Sequence, residues 1–181
     1  VARPVHLETP AGMPVLAALP FRGVAARCLR RVKEDGETLL ARPLGAALAE
    51  AAALVLADHP EALTVPVPTG TAAFRRRGYR VPELLMRRAG LATVRMLTQT
   101  RRTADQRELD ILQRRQNVAG SMRARHARAA RDVVLFDDVV TTGATLDEGA
   151  RALTAAGFRV CGAVALAATP KRTESRETHH E

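Results

Sequence analysis

Residues 133–148 read VVLFDDVVTTGATLDE, and no other stretch limits the fold of this chain as strongly. The four apolar residues 133–136 indicate a strand that is buried on both faces, which is typical of a central strand in a parallel sheet. Asp137 and Asp138 follow at the carboxyl end of that strand. Ligands of open α/β sheets bind at this edge. The stretch therefore predicts an α/β fold with a polar site where a buried strand ends.

Helical and strand patterns alternate along the rest of the chain. Helices are predicted over residues 24–35, 43–58, 82–89 and 146–156, and strands over residues 63–68, 92–98, 133–136 and 158–167. Such alternation is typical of a doubly wound, mainly parallel sheet.

By composition the chain divides into three parts. Residues 1–20 carry four prolines, a breaker density that predicts an extended linker. Residues 21–168 are expected to form one domain, since 181 residues with 46% apolar content leave little room for a second large one. Residues 169–181 contain few apolar side chains, so we expect a disordered tail.

The net charge of +9 favours phosphates or other anions as partners. Only Lys33 and Lys171 among the 28 basic residues are lysines. Coding bias and selection for bidentate phosphate contacts explain this arginine excess equally well. Aromatic residues make up 3% of the chain, which is too few for a stacking platform for single-stranded nucleic acid. A sequence-independent contact with a nucleic-acid backbone stays open.

Cys28 and Cys161 lie far apart in the sequence and outside any Cys/His motif, which argues against a zinc site and against a disulfide framework. No uninterrupted apolar run reaches the roughly 20 residues of a membrane span. The N-terminal residues also lack the apolar core of a signal peptide. We therefore expect a cytoplasmic protein that does not insert into a membrane.

The polar part of the opening stretch indicates a specific ligand. Two adjacent carboxylates repel each other unless cations or hydroxyl donors compensate them, and a sugar diol with a nearby Mg²⁺ would do so. The small residues 141–145, TTGAT, allow backbone N–H groups to converge on a phosphate at the start of the next helix. Thr145 and Glu148 match a capping box that would begin this helix at Thr145. A ribose 5-phosphate carries both a diol and a phosphate, so it would match the carboxylates and the loop.

Other phosphate-binding and acidic motifs fit less well. A Walker A loop requires a lysine after the glycine, and none follows Gly143. The GxGxxG pattern of dinucleotide-binding loops is absent. A phosphorelay receiver would carry its acidic pair on the first strand, whereas this pair is on a late one. A solvated acidic turn would explain neither the paired carboxylates nor the composition of the loop.

The segment VVLFDDVVTTGAT resembles the phosphoribosyl-pyrophosphate (PRPP) fingerprint of type I phosphoribosyltransferases. Four further segments resemble the ComF family of phosphoribosyltransferase-like competence proteins: FRGVAARCLRRVKEDG, ARPLGAALAEA, VPVPTGTAAFRRRGYR and RRTADQRELDILQRRQNVAGSM. The resemblance covers residues 21–169. It implies the type I phosphoribosyltransferase fold, with the N-terminal helices as a hood.

The resemblance also implies a role for each matching position. Asp137 and Asp138 would be the catalytic pair that holds the ribose 2′ and 3′ hydroxyls, with Mg²⁺ bound beside them through PRPP. The 5′-phosphate would be bound by Thr141, Thr142, Gly143, Ala144 and Thr145, the pyrophosphate by Pro68, Thr69, Gly70, Arg76 and Arg77, and a flexible loop closing over PRPP would contain Arg101, Arg102, Thr103 and Gln106.

Two features depart from the family pattern. Family members usually carry Asn-Gln after the RG-aromatic element, whereas this chain has Arg80 and Val81 there. Many members also carry an N-terminal four-cysteine zinc finger, and the sequence begins near the point where such a finger would end. A finger that was lost and one that lies outside this sequence are both compatible with that.

Two functions follow from the resemblance. In the first, a nitrogen nucleophile displaces Mg·pyrophosphate at ribose C1, and neither the acceptor nor a general base is identified. In the second, a non-catalytic competence factor binds single-stranded DNA or a partner helicase through its arginines. A homodimer is compatible with either. Residues 99–122 are arginine-rich with few apolar anchors, so we expect this segment to be mobile without ligand and ordered by PRPP.

Overall fold

A computed structural model describes residues 3–100, 118–127 and 129–169. The strands are β1 (Val5–Glu8), β2 (Pro14–Pro20), β3 (Leu63–Pro66), β4 (Leu97–Gln99), β5 (Met122–Ala124), β6 (Asp132–Val140) and β7 (Arg159–Ala168). The helices are α1 (Gly23–Glu34), α2 (Ala41–Ala57), α3 (Thr71–Arg77), α4 (Val81–Arg88) and α5 (Ala144–Ala155), with one 3-10 turn (Thr38–Leu40) before α2. The four predicted helices are confirmed to within two residues at each end.

Five strands form the main sheet in the order β1-β2-β7-β6-β3. Strands β2, β7, β6 and β3 are parallel, and β1 pairs antiparallel with β2 at the edge. Leu135 of β6 lies between Val65 of β3 and Ala163 of β7. The α/β fold with a mainly parallel sheet, predicted from the sequence, is therefore confirmed.

Strand β6 is buried on both faces, as its apolar run predicts. Val133 and Leu135 point into a cluster that contains Leu146 and Leu153 of α5. Val134 and Phe136 point into a second cluster, which includes residues of α1, α2 and α4. Successive side chains of a strand alternate between faces, so one apolar strand supports a helix layer on each side.

The N-terminal residues belong to the sheet, in contrast to the extended linker expected for residues 1–20. Strands β1 and β2 form a hairpin, and β2 pairs in parallel with β7. Pro14 and Pro20 occupy the first and last positions of β2, and Pro4 and Pro10 lie outside the strands. Because a proline at a strand end removes few ladder hydrogen bonds, the prolines limit the length of β2 without preventing it.

Helix α1 lies across the carboxyl edge of the sheet. It begins just after β2 ends, and its last turn leads to α2, which runs back to the start of β3. Lys33 in that last turn contacts Asp138 of β6, and Tyr79 donates a hydrogen bond to the carbonyl of Val32. The buried side chains of α1 share one cluster with those of α2, which packs on a face of the sheet against β2 and β7, and a hood stays a prediction.

By length and composition, one helical stretch in the described part of the chain, Thr38–Ala57, could cross a membrane. Its mean hydropathy is 1.6, and 33% of the apolar window is buried inside the protein. The sequence expectation did not single it out because two charged residues interrupt it. Helix α2 packs so closely on α4 that a Cβ on Gly45 would lie 2.5 Å from the Cβ of Arg88. One face of α2 is therefore packed inside the protein, and large apolar side chains such as Leu54 are exposed on another.

A second, two-stranded sheet lies beside the main one. Strands β4 and β5 pair antiparallel, with Gln99 opposite Met122. The strand predicted over residues 92–98 therefore starts later than expected, at Leu97. The two strands flank residues 101–117, so this segment begins and ends at a paired stem. The segment itself, with the expected lid, lies outside the described residues, as do residues 170–181 of the expected tail.

Candidate functional site

Asp137 and Asp138 lie in the carboxyl-terminal half of β6, and both side chains are half-buried. The Asp138 N–H donates a hydrogen bond of 2.7 Å to Oδ1 of Asp137. Oδ1 of Asp138 accepts a hydrogen bond of 2.8 Å from Nζ of Lys33 on α1. One of the two carboxylates is therefore paired with a cation, and the other is held by the backbone of its neighbour.

The two carboxyl groups have unequal surroundings. Burial raises the pKa of Asp137 to about 7, and the nearby charge of Asp138 adds to this effect. The hydrogen bond from the Asp138 N–H and the positive charge of Lys33 act in the opposite direction on the pKa of Asp137. Near neutral pH the pair therefore carries less than two full negative charges, and an arriving cation would remove the remaining proton.

The loop at residues 141–143 connects β6 to α5. Gly143 adopts a left-handed conformation, with φ of +80°, and is the residue from which α5 starts. The first turn of a helix has N–H groups without partners inside the helix, and here these belong to Ala144, Thr145 and Leu146. The N–H of Ala144 donates a weak hydrogen bond of 3.4 Å to Oγ1 of Thr142. The structure places residues 141–145 at the start of α5, and their role in binding an anion stays a prediction.

The predicted capping box is wrong. Helix α5 begins at Ala144, its N-cap is Gly143 and not Thr145, and the N-cap residue makes no side-chain hydrogen bond. Glu148 is buried and accepts hydrogen bonds from the N–H of Met122, at 2.9 Å, and from Arg151, at 2.7 and 2.8 Å. Because the Glu148 carboxylate is bound to β5, it cannot also accept a hydrogen bond from the N-terminal N–H groups of α5. The spacing of Thr145 and Glu148 alone therefore led to a wrong prediction.

The hairpin between β1 and β2 packs against the start of α5. A Cβ on Gly143 would lie 3.1 Å from the Cβ of Thr9 and from Cδ of Pro10. The N–H of Ala11 donates a hydrogen bond of 3.2 Å to Oδ2 of Asp147 in the first turn of the helix. The turn of the N-terminal hairpin therefore helps to hold the loop at residues 141–143 in place. An extended linker would not have made these contacts.

The loop after β3 lies next to the end of β6. The N–H of Val67 donates a hydrogen bond of 2.8 Å to the carbonyl of Phe136, immediately before the carboxylate pair. Pro68, Thr69 and Gly70 continue this loop, and Gly70 is the residue from which α3 starts. The structure therefore brings the predicted pyrophosphate loop to the edge that carries Asp137.

Arg76 and Arg77 lie in the last turn of α3. A helix rises about 1.5 Å per residue, so they are roughly 9 Å along its axis from Gly70. Arg76 is exposed, and Nε of Arg77 is buried without a hydrogen-bond partner among the described residues. These two arginines are thus not adjacent to the loop in this conformation, and contact with a ligand there would rely on the length of their side chains.

The departure from the family pattern at Arg80 has a structural explanation. The Arg80 guanidinium lies 4.2 Å from the centroid of the Phe74 ring, and its Nε is 3.7 Å from Glu83. Val81 is fully buried in the core. Arg80 thus contacts both α3 and α4, and Val81 is a core residue, so neither takes the place of the Asn-Gln pair.

The four predicted loop residues Arg101, Arg102, Thr103 and Gln106 lie outside the described residues. The two-stranded stem of β4 and β5, which flanks them, is hydrogen-bonded to α5. Nη2 of Arg151 donates a hydrogen bond of 3.0 Å to the carbonyl of Met122, whose N–H is bound by Glu148. Burial alone would raise the pKa of Glu148, but the hydrogen bonds from Arg151 and Met122 outweigh it and lower this pKa.

Sequence reasoning did not assign a role to Lys33 or to the Glu148–Arg151 pair. The signal for Lys33 was its type, since a lysine in a chain whose basic residues are nearly all arginine is unusual. The signal for the pair was its spacing, because residues three apart are neighbours on a helix. Neither signal identifies the distant partner, which is Asp138 for Lys33 and Met122 for the Glu148–Arg151 pair.

The family of this chain follows from its carboxyl-terminal part. Residues 74–180 match the family model described as the phosphoribosyl transferase domain, which is more than half of the chain. The chain belongs to the phosphoribosyltransferase domain family. The match includes β6, the loop at residues 141–143 and α5, and it begins after the loop at residues 68–70.

Twenty-seven chains of solved structures are similar to this phosphoribosyltransferase domain. UMP synthase of Leishmania donovani is 16% identical with a TM-score of 0.42, over 78% of this chain and 24% of that one. The protein TT1426 from Thermus thermophilus is 22% identical with a TM-score of 0.35, over 74% of this chain and 85% of that one. The domain thus spans about a quarter of the length of the UMP synthase chain. No curated protein matches the sequence.

Proposed function

We propose that this phosphoribosyltransferase domain binds PRPP with Mg²⁺ and transfers its ribose 5-phosphate group. One observation carries the proposal: the carboxylates of Asp137 and Asp138 are separated by only two residues from the glycine-containing loop before α5. Diol acceptors and a phosphate cradle are thereby a few residues apart on one edge of the sheet, as a ribose 5-phosphate requires.

In this proposal each group of PRPP meets a different part of the site. The 2′ and 3′ hydroxyls donate to Asp137 and Asp138, and the 5′-phosphate accepts from the backbone and hydroxyls of residues 141–145. The pyrophosphate lies against residues 68–70, with Arg76 and Arg77 in reach of its outer phosphate. Arg101, Arg102, Thr103 and Gln106 belong to the loop that closes over it.

The donor set suits Mg²⁺. This ion prefers carboxylate, phosphate and water oxygens, and it is usually bound by one or two carboxylates together with substrate phosphates. In this proposal the ion is held through the oxygens of PRPP, with the carboxylates of Asp137 and Asp138 nearby. When bound, Mg²⁺ would stabilise the negative charge that develops on the leaving pyrophosphate.

The residues of the chain contribute positioning and charge. The reaction breaks the bond between ribose C1 and the pyrophosphate oxygen, whose electron pair leaves with pyrophosphate, and forms a bond from C1 to a nitrogen of the acceptor. The ribose passes through an oxocarbenium-like state, which Asp137 and Asp138 would stabilise electrostatically. Closure of the loop would exclude water from C1. The acceptor nitrogen and the group that takes its proton are not assigned.

A second candidate function rests on a different surface. An open cleft of about 820 Å³ is lined by Phe74, Tyr79 and other residues that include Arg80, Arg87, Arg95 and Arg125. Glu83 neutralises Arg95 at 2.5 Å, but Arg87 and Arg125 are exposed. Within the ComF group that the sequence resembles, such a cleft would bind the phosphates of single-stranded DNA or an acidic face of a partner helicase, without catalysis.

Calorimetric titration separates the two functions. We expect Mg·PRPP to bind the native protein, and the double variant Asp137→Asn/Asp138→Asn to bind it more weakly by on the order of 1–3 kcal/mol per lost charged hydrogen bond. Asp58→Asn, an exposed position at the end of α2, is the control. Equal affinities in the double variant and the native protein would refute the assignment of the diol. Pyrophosphate release against a panel of bases then identifies the acceptor.

The same protein is tested with DNA. If single-stranded DNA binds with a steep salt dependence and PRPP does not compete, the second function is supported. Hydrogen exchange of residues 99–122 adds an independent measure. Protection by Mg·PRPP supports a lid, and protection by DNA alone contradicts it.

A further inference from the structure

Three side chains of metal-ligand type meet at the amino-terminal edge of the sheet. His59 lies in the turn between α2 and β3, Asp132 is the first residue of β6, and Cys161 lies near the start of β7. One imidazole nitrogen, one carboxylate oxygen and the cysteine sulfur all lie within 4.8 Å of one another. All three residues are half-buried. They come from three separate elements, so no sequence motif could have shown them together.

Strand β7 contains an irregularity beside Cys161. Val133 pairs with Val160, but Val134 pairs with Gly162, so Cys161 is an extra residue at a β-bulge. On either side of the bulge, Val160 and Ala163 point to the same face although they are three residues apart. Cys161 packs on the opposite face. Cys161 thus keeps the face that alternation from Val160 gives it, and the bulge changes the face of the residues that follow it.

The other two ligands are on the face to which Cys161 is turned. Asp132 precedes Val134 by two residues and so shares its face, which is the face covered by α2. The turn that carries His59 is flanked by Leu56 and Ala62, which pack on that same side. Cys161 therefore lies on the same face of the sheet as Asp132 and His59.

We propose that His59, Asp132 and Cys161 bind one divalent transition-metal ion of the zinc type. Zinc accepts imidazole nitrogen, thiolate sulfur and carboxylate oxygen at about 2.0–2.3 Å, with four ligands in a tetrahedron. Ligand atoms in such a site are roughly 3.5 Å apart. Modest rotamer changes would bring the three ligand atoms, which now lie within 4.8 Å of one another, to that separation. The fourth position is open to water because the side chains are half-buried. Mg²⁺, which prefers oxygen ligands only, does not suit this donor set.

Arg159 supports the carboxylate in this arrangement. It lies opposite Asp132 in the β6–β7 ladder, and its Nη2 is 2.6 Å from the Asp132 carboxylate. Carboxylate ligands of metals commonly accept such a hydrogen bond from a neighbouring side chain, which fixes their orientation. The Arg159 side chain is 77% exposed, so it can move aside for the ion without leaving a buried charge.

The site is separate from the carboxylate pair. Asp132 and Asp137 are five residues apart on one strand, which is roughly 17 Å at about 3.3 Å per residue. An ion at the amino edge would therefore join the α2–β3 turn to β6 and β7 without touching the ligand-binding edge. Its test does not depend on PRPP binding.

Cobalt is a suitable probe because it binds zinc sites and, unlike zinc, absorbs light. The full chain, freed of metal by a chelator, is titrated with Co²⁺ and then with Zn²⁺. We expect one equivalent of Co²⁺ to give a thiolate-to-cobalt charge-transfer band and the visible bands of a tetrahedral ion, and Zn²⁺ to remove them. Cys161→Ser should lose the charge-transfer band and bind at least about tenfold more weakly.

Two controls exclude other ligands. Cys28→Ser replaces the other half-buried cysteine, and His179→Asn/His180→Asn removes the adjacent histidines near the end of the chain. Both variants should keep the band and the affinity. If Cys161→Ser fails to fold, His59→Gln in the surface turn should weaken Co²⁺ binding to the same degree. Retention of the band in Cys161→Ser, its loss in either control, or full affinity in a folded His59→Gln protein would overturn the proposal.

Discussion

Lys33 on α1 and Asp138 on β6 are joined by a hydrogen-bonded ion pair of 2.8 Å across 105 positions of the sequence. The side chains are 30% and 14% exposed, so the pair is largely removed from water. It fastens α1 to the strand that carries the carboxylates. It also places the positive charge that opposes the rise in the pKa of Asp137.

We predict that Lys33→Met destabilises the protein by about 1–3 kcal/mol at pH 8, because Asp138 then keeps a largely buried charge without its partner. The same change should raise the pKa of Asp137 further. Urea unfolding measures the first effect, and carboxyl chemical shifts at a series of pH values measure the second. Arg27→Met on the exposed side of the same helix is the control and should leave both unchanged.

Asp137 should make the stability of the ligand-free protein fall as the pH rises. Its pKa in the folded protein is about 7, against an ordinary value of 3.8. Between these two values the unfolded chain releases this proton and the folded chain keeps it, so deprotonation favours unfolding. The penalty is absent below the lower value and complete above the higher one.

Asp137→Asn removes this titration. We expect it to be more stable than the native protein by on the order of 1–3 kcal/mol at pH 8, with a difference that shrinks toward pH 4. Urea unfolding of both proteins at pH 4, 6 and 8 measures it. A difference that does not change with pH would show that the Asp137 pKa is not raised.

Gly143→Ala should destabilise the protein more than Gly36→Ala does. Both glycines have positive φ, at +80° and +73°. A left-handed conformation costs a residue with a Cβ about 1–2 kcal/mol, so both variants should lose that much. The Cβ at position 143 would also press on Thr9 and Pro10, whereas nothing lies within 4 Å at position 36. This crowding should add about 1–3 kcal/mol.

Denaturant unfolding of the two glycine variants isolates the contact between the hairpin and the loop. Equal losses of unfolding free energy in the two variants would mean that Thr9 and Pro10 move aside for the new Cβ without an energetic cost. Mg·PRPP titration of the same variants then shows whether the position of the loop, and not stability alone, affects binding.

Glu148→Gln should loosen the stem formed by β4 and β5. It weakens the bonds to Arg151 and the N–H of Met122, and we expect a loss of about 1–3 kcal/mol at pH 7. Because the pKa of Glu148 is lowered, its contribution should be lost as the pH falls below the ordinary value of 4.5. Hydrogen exchange of the Met122 amide should accelerate in the variant. Glu61→Gln, at an exposed position, is the control.

The sequence determined the central strand and the place of the site. An apolar run at 133–136 is buried on both faces whatever surrounds it, and the next polar residues must then lie at the carboxyl edge. The helices α1, α2, α4 and α5 were also predictable, since their apolar spacing is local, whereas the short, arginine-rich α3 was not predicted. The role of residues 141–145 as an anion cradle, by contrast, stays a prediction, although the structure does place them at the start of α5.

Only the tertiary structure decided which distant side chains meet. The prolines of residues 1–20 suggested a linker, but β2 is stabilised by β7, a partner that local composition does not show. The spacing of Glu148 from Thr145 predicted a capping box, but Glu148 accepts a hydrogen bond from the Met122 N–H of β5 instead. Cys161 lies beside Asp132 and His59 only because β6, β7 and the turn before β3 meet at one edge of the sheet. Local patterns specify how each segment folds, whereas hydrogen bonds and ion pairs between segments depend on topology, since the energy of each contact exists only once the sheet has assembled.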